Sequence, residues 1–305
     1  MLYTRKGLLA VKIESTPGTK ETLAGTDAAF NAMNTEITPS IPVSERPLQA
    51  SFRTLPGVPG PQSGTCSFSI ELIGQGDGTY PTWATTLLAA CGIVEASANV
   101  GSPAEEAPGS NVKTVTIGHY TDGVLTELRG CSGNVQFVFQ PGMAVMCNFT
   151  FTGAWVGESA VAVPSFTAPT RFPIKADAGT CTINSVTQRY ATLTLDLGNI
   201  VTLRPDITAD GGFRYATISG RNPTITLDAE QTLLATEDPI ADWEAGTTRA
   251  FSLSVSDADD TITFAAPAAQ MTNSTPGDRE GLRLRNKTLN LRRSGTDPEL
   301  TITCS

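Results

Sequence analysis

The chain has 305 residues, a net charge of -9, 40% hydrophobic and 17% charged residues. That length is ample for a large core in one or two domains. An acidic chain is poorly suited to gripping nucleic acid, because phosphate binding requires Lys and Arg to displace counterions. A charged fraction well below the usual quarter is expected where part of the surface is covered by other subunits.

In chain order, the first elements read as strands. Gly7–Glu14 is an apolar strand opening, followed by Ser15-Thr16-Pro17-Gly18-Thr19. Pro47 to Gly64 has four prolines and three glycines and reads as a loop, long for a hairpin connection. Its apolar Leu48, Phe52, Leu55 and Val58 are expected to meet another subunit and are assigned to ring stacking once the family resemblance below is considered. Cys66, Phe68, Ile70 and Leu72 alternate with Ser67, Ser69 and Glu71, giving one buried and one polar face at period two. Pro81–Cys91 carries Trp83, Leu87 and Cys91 at helical spacing and stops at Gly92. Asn99–Gly109 is small and polar and is expected to be mobile surface.

Val135, Phe137 and Phe139 lead through Pro141-Gly142 to Met143, Val145, Cys147, Phe149 and Phe151. The spacing predicts a hairpin with a strong apolar side. Glu158 to Thr180, with Pro164, Pro169 and Pro173, reads as a linker. Beyond it, Ile225 and Leu227 alternate with Thr224, Thr226 and Asp228, and Phe251, Leu253 and Val255 alternate with serines. Asp238-Pro239 to Gly246 has the grammar of a short helix with Trp243 facing inward. The last strand pattern is Leu300, Ile302 and Cys304.

The two helices expose an internal repeat. Trp83 and Trp243 lie 160 residues apart, Phe68 and Ile225 lie 157 apart, and Gly123 and Gly281 lie 158 apart. These landmarks predict a duplication into units 1–170 and 171–305, with Trp83 and Trp243 as helix anchors.

Chemistry is sparse. His119 is the single histidine, so a Ser-His-Asp site or a histidine metal site would have to use it; it is expected to be a solvated strand-end residue. Asp257, Asp259 and Asp260 suit a hairpin tip better than a calcium site. Gly18-Thr19-Lys20 lacks the glycine spacing of a phosphate loop. Arg279, Arg283, Arg285, Lys287, Arg292 and Arg293 form the one basic cluster. No aromatic residue interleaves with it to stack bases. The six cysteines form no C-x-x-C pair and are expected to be free and buried. No catalytic residue, metal or cofactor is expected. The N-terminus has no run long enough for a signal peptide, and no stretch approaches a membrane span.

The order of motifs is similar to the tail tube (major tail) proteins of long-tailed bacteriophages, especially those with non-contractile tails. It rests on Gly7–Glu14, Gly64–Leu72, Pro81-Thr82-Trp83 through Gly92, Glu127–Val135 and Phe149–Gly153 in the first half. Ile218–Pro223, Asp242–Gly246, Pro267 and Asp278–Gly281 carry it in the second. The resemblance implies an all-β fold with short helices, built as two tandem tail-tube-like β-sandwich domains whose sheets join edge to edge between subunits into a ring-shaped barrel. It implies a non-enzymatic virion protein of the tail, assembled in the host cytoplasm into stacked rings that conduct DNA. Implied partners are further copies of the chain, the tape measure, the tail terminator and distal tail proteins; DNA is in passage only, with no membrane. Two units per chain imply three chains in a pseudo-sixfold ring. The polar sets Ser67, Ser69, Glu71 and Thr224, Thr226, Asp228 are then candidates for the lumen face.

Rival readings are an immunoglobulin-like outer decoration domain over residues 176–305, a secreted β-sandwich binding module or adhesin, and a hydrolase on a β scaffold. The helix at Trp243 argues against the first, the missing leader and unpaired cysteines against the second, and the absent triad against the third.

Overall fold

The computed structural model describes residues 6–28, 30–104, 113–177 and 179–305. Met1–Arg5 and the 105–109 part of the expected mobile segment lie outside them. The first half contains β1 (Gly7–Ile13), β2 (Met33–Ser40), β3 (Val43–Pro47), β4 (Thr54–Pro59), β5 (Ser63–Glu71), α1 (Thr82–Ala90), β6 (Ile93–Ser97), β7 (Val100–Pro103), β8 (Val115–Thr121), β9 (Val124–Phe139) and β10 (Met146–Ala160). The second contains β11 (Thr180–Ile183), β12 (Val186–Thr187), β13 (Tyr190–Asp196), β14 (Asn199–Pro205), β15 (Phe213–Arg221), β16 (Thr224–Glu230), α2 (Pro239–Ala245), β17 (Thr248–Ser256), β18 (Thr261–Arg279), β19 (Leu282–Arg292) and β20 (Thr301–Cys304).

One sheet runs through both halves, in the order β12-β11-β17-β18-β19-β16-β13-β9-β10-β5-β2. Its two stretches repeat. β2-β5-β10-β9 in the first half has the same order and connectivity as β13-β16-β19-β18 in the second. The outer strands correspond too: β8 and β1 lie beyond β9 as β17 and β11 lie beyond β18. A two-stranded hairpin follows each leading strand, β3–β4 after β2 and β14–β15 after β13.

This pairing corrects one landmark of the repeat. The helices begin 157 residues apart, at Thr82 and Pro239, but β8 and β17 begin only 133 apart, at Val115 and Thr248. The segment holding β6 and β7 occurs only in the first half. Gly123 sits in the β8–β9 turn, whereas Gly281 sits in the β18–β19 turn. The two are alike because each closes a two-residue turn with both residues at positive φ, Asp122-Gly123 and Glu280-Gly281. Their equal spacing is a coincidence of turn chemistry.

Other expectations shift locally. Pro47–Gly64 is largely a hairpin, β3–β4, and not an irregular loop. Both of its strands are edges, so Pro47, Pro56 and Pro59 remove no ladder bond from a central strand. β10 starts at Met146, leaving Met143 exposed in the preceding turn. The expected linker is β10 as far as Ala160; further on, Lys175 and Ala176 bridge back to Ala144 and Pro141.

The core is continuous across the halves. Phe137 and Phe139 of β9 meet Phe264 of β18 edge-on, with ring centroids 5.0 and 5.3 Å apart. Phe68, Phe149 and Phe151 stack on the β5–β10 face. Trp83 is buried, and its Nε1 donates to the Ile73 carbonyl. Trp243, expected to face in, is 43% exposed. A helix of only seven residues projects fewer side chains inward than α1, and α2 buries only Pro239.

Asp260 also ties the halves together. Its buried carboxylate accepts from the backbone N–H groups of Gly76 and Gly78 and from Arg171. The aspartate turn is thus a hairpin tip, as its composition indicated, with one carboxylate serving as a clasp. Replacing Phe264 with Ala should destabilise the protein by about 3–5 kcal/mol. Because the core is shared, thermal or urea unfolding followed by near-UV and far-UV dichroism should still give one coincident transition. Two separated transitions would show that the halves unfold independently.

Candidate functional site: a polar sheet face and open strand edges

Residues directly opposite one another in an antiparallel ladder share a face, so register shows how the polar positions line up. Ser67 of β5 lies opposite Thr150 of β10, and Thr150 opposite Asn134 of β9. Two residues along β9, Gln136 lies opposite Asp196 of β13. Asp196 lies opposite Thr224 of β16, and Thr224 opposite Asn290 of β19. The two polar sets, Ser67, Ser69, Glu71 and Thr224, Thr226, Asp228, therefore occupy one face of one sheet, opposite the core.

That face is rich in hydroxyls, amides and carboxylates tied to one another. Ser69 Oγ donates to Asn148 Oδ1 at 2.7 Å, and Asn134 Nδ2 donates to Asp196 Oδ1 at 2.8 Å. Its carboxylates include Glu36, Glu71, Asp196, Asp228 and Glu230; Arg279 reaches Asp228 and Glu230. The basic cluster thus divides. Arg279 joins acidic groups on this face, while Lys287 points into the core, where its Nζ donates to Glu237 and Gln188 at 2.7 and 2.8 Å. Burial lowers the Lys287 pKa, and the Glu237 carboxylate opposes that shift.

Among the described residues, the stretch from β2 to β18 has an open edge at each end. β2 pairs only with β5. On β18, residues up to Gln270 pair with β17, and the same edge from Met271 to Arg279 has no partner among the described residues. The corresponding edge of β9 is filled. There β8 pairs with Val124–Cys131, and β13 then takes Gln136–Phe139. Pro39 and Pro276 sit on the two open edges, where a missing N–H discourages mispairing.

The four residues expected to stack rings, Leu48, Phe52, Leu55 and Val58, are all exposed on the β3–β4 hairpin. Phe52, at the tip, has 111% relative exposure. Sequence reading missed the open edges: β2 reads as Asn, Thr, Glu and Pro with little apolar alternation.

No group of three or more His, Cys, Asp or Glu able to hold a metal occurs among the described residues. The six cysteines are unpaired and buried, and burial pushes the Cys66 thiol up to about 12. His119 lies within β8, between Leu9 of β1 and Thr126 of β9, and not at a solvated strand end. Burial lowers its pKa.

Residues 4–291 match the family described as phage tail tube protein. The chain belongs to the phage tail tube protein family. It is a structural component of the virion tail, and membership of such a family argues for a structural and not a catalytic role. That role implies association with itself and with other tail components. A search of curated proteins finds no match. Among the described residues, no helix is long and apolar enough to cross a membrane.

The depressed His119 pKa gives a signed expectation. The unfolded chain binds a proton near pH 6.5, above the folded pKa. Stability from His119 is therefore complete above about pH 6.5 and declines as pH falls toward the folded pKa. Across pH 7.5 to 5.5, the melting temperature of His119→Ala should fall less than that of the wild type, and the variant should assemble normally. Loss of assembly without loss of fold would give His119 a role beyond packing.

Proposed function

We propose that the protein polymerises into stacked rings whose sheets close edge to edge, forming the tube through which DNA is ejected into the host. The observation that carries this reading is the filled edge of β9 beside the open edge of β18. Within one chain, β13 of the second half continues the sheet of the first. β2 is the counterpart of β13, and the distal part of β18 is the counterpart of the β9 segment that receives it. Pairing β2 of one copy with β18 of the next repeats the internal joint between copies. Such a head-to-tail contact closes when the rotation per chain divides the circle, and closure removes both edges.

On this reading the chain holds two tube units, and three chains form a pseudo-sixfold ring. The Lys175 and Ala176 bridges to the β9–β10 turn favour a boundary near Thr180 over one at 170–171. Each unit contributes four strands, β2-β5-β10-β9 or β13-β16-β19-β18.

The face opposite the core, with Ser67, Ser69, Glu71, Thr224, Thr226 and Asp228, lines the lumen. Its carboxylates repel DNA phosphates, and Ser69, Asn148 and Asn134 are engaged within the face; DNA slides past without being held. The tape measure occupies the lumen before ejection, and the tail terminator and distal tail proteins cover the tube ends. Assembly takes place in the host cytoplasm, before the tail joins the virion.

Averaged electron micrographs of rings should show three chains and six similar lobes. Six chains, with the second half standing outside the barrel, would remove the two-unit arrangement while leaving the tail role intact. Replacing Glu71 and Thr226 together with Lys should leave ring formation possible and slow DNA release, most strongly at low salt. Unchanged ejection kinetics across salt would place this face away from the DNA.

A further inference from the structure

The two hairpins leave the sheet at matching places, but only one is seated. β14–β15 lies on the first half. Ser132 Oγ of β9 donates to the Ala216 carbonyl at 3.0 Å, and both Ser132 and Ala216 are buried. Arg129 Nη2 donates to the Asp210 carbonyl at 2.8 Å. At the hairpin base, Asn199 Nδ2 donates to the carbonyls of Cys91, at the end of α1, and Gly133. Close approach depends on Gly130, where a Cβ would lie 2.6 Å from the Tyr215 Cβ. The tip then reaches the base of the other hairpin. Gln62 N–H donates to the Gly211 carbonyl at 2.8 Å, and a Cβ on Gly212 would touch Pro61.

Among the described residues, β3–β4 has no such seat in its own chain. Every residue of both strands is exposed, although an isolated two-stranded ribbon is marginal in water. The places in the second half that correspond to the occupied seat carry no hairpin among the described residues. There, Gly246 at the end of α2, Trp243 beside it and Asn222 at the base of β14–β15 are exposed, while Gln270 of β18 is half-buried, its Nε2 donating to the Gly246 carbonyl at 3.5 Å, and Asn222 Oδ1 accepts from Arg292 at the surface. Asn222 follows β15 and precedes β16 as Gln62 follows β4 and precedes β5.

We infer that the β3–β4 hairpin of one copy lies across the second half of the neighbouring copy in the same ring, with its tip at Asn222, so that the hairpins run tip to base around the ring. The inference rests on the ring reading above. Apolar content alone pointed these residues toward the next ring in the stack; the seated hairpin points them sideways. β13 leads β14–β15 onto the half whose β9 it pairs with. β2 must likewise lead β3–β4 onto the half whose β18 it pairs with.

Cysteine crosslinking of the full chain tests this directly. The six native cysteines are buried and unpaired, so mild oxidation of assembled protein reports introduced pairs. Phe52→Cys with Asn222→Cys, and Arg53→Cys with Asn222→Cys to cover a one-residue offset, should each be compared with their single variants on non-reducing gels. The expected result, for at least one pair, is covalent products that rise by whole chains and stop at the number of chains per ring counted in micrographs, with the single variants remaining monomeric. A ladder continuing past that number would place the contact between rings and overturn the inference. Rings with no crosslink from either pair would overturn it while leaving the ring reading standing. Wild-type protein that forms no ring or tube at all would remove both.

Discussion

Everything in the assembly reading depends on a short stretch of backbone ladder, Gln136–Phe139 of β9 against Leu193–Asp196 of β13. These few residues turn two sheets into one. They are held on the core side by Phe137 and Phe139 against Phe264 and on the other side by Asn134 and Gln136 reaching Asp196. A ladder of this length is weak alone. It is specified because a slip of one residue would move Leu193 and Leu195 of β13 out of the core, while β10 holds β9 in place.

That joint gives meaning to the rest of the sheet. β9 is long because it serves two neighbours on one edge, β8 first and β13 beyond it, and β18 has the length for the same arrangement. In β9 both positions are occupied. In β18 only the first is, and a strand of Thr, Asn, Ser, Pro and Gly continues past it with no pairing on that edge among the described residues. A monomer would ordinarily shorten or cover such an edge. Here the prolines protect it while the backbone stays available for a partner.

The small residues of β9 follow from the same plan. Gly130, Ser132 and Gly133 lie where β14–β15 crosses, and a side chain at either glycine would strike its neighbours. Buried Lys287, with Glu237 and Gln188, anchors the segment before α2 beneath β19. A charge so buried is tolerable because its hydrogen-bonding partners accompany it.

Period-two alternation by itself determined the central strands, the apolar face of Phe68, Phe137, Phe149 and Phe151, and the polar face with Ser67 and Thr224, because each is a local pattern that needs only the pleat. The motif order was enough to point to the family, and the two helices to a repeat. Tertiary structure decided the rest. Which strands are neighbours depends on ladder bonds between residues far apart in the chain, so the joint between halves and the two open edges carry no local signature. Trp243 has the same helical context as Trp83 but lies at the surface, since burial depends on what packs over a helix. The β3–β4 hairpin reads as a Pro/Gly loop because its strands lack alternation. The Gly123–Gly281 spacing misled because turn residues report local φ alone, and only pairing shows which turn joins which strands.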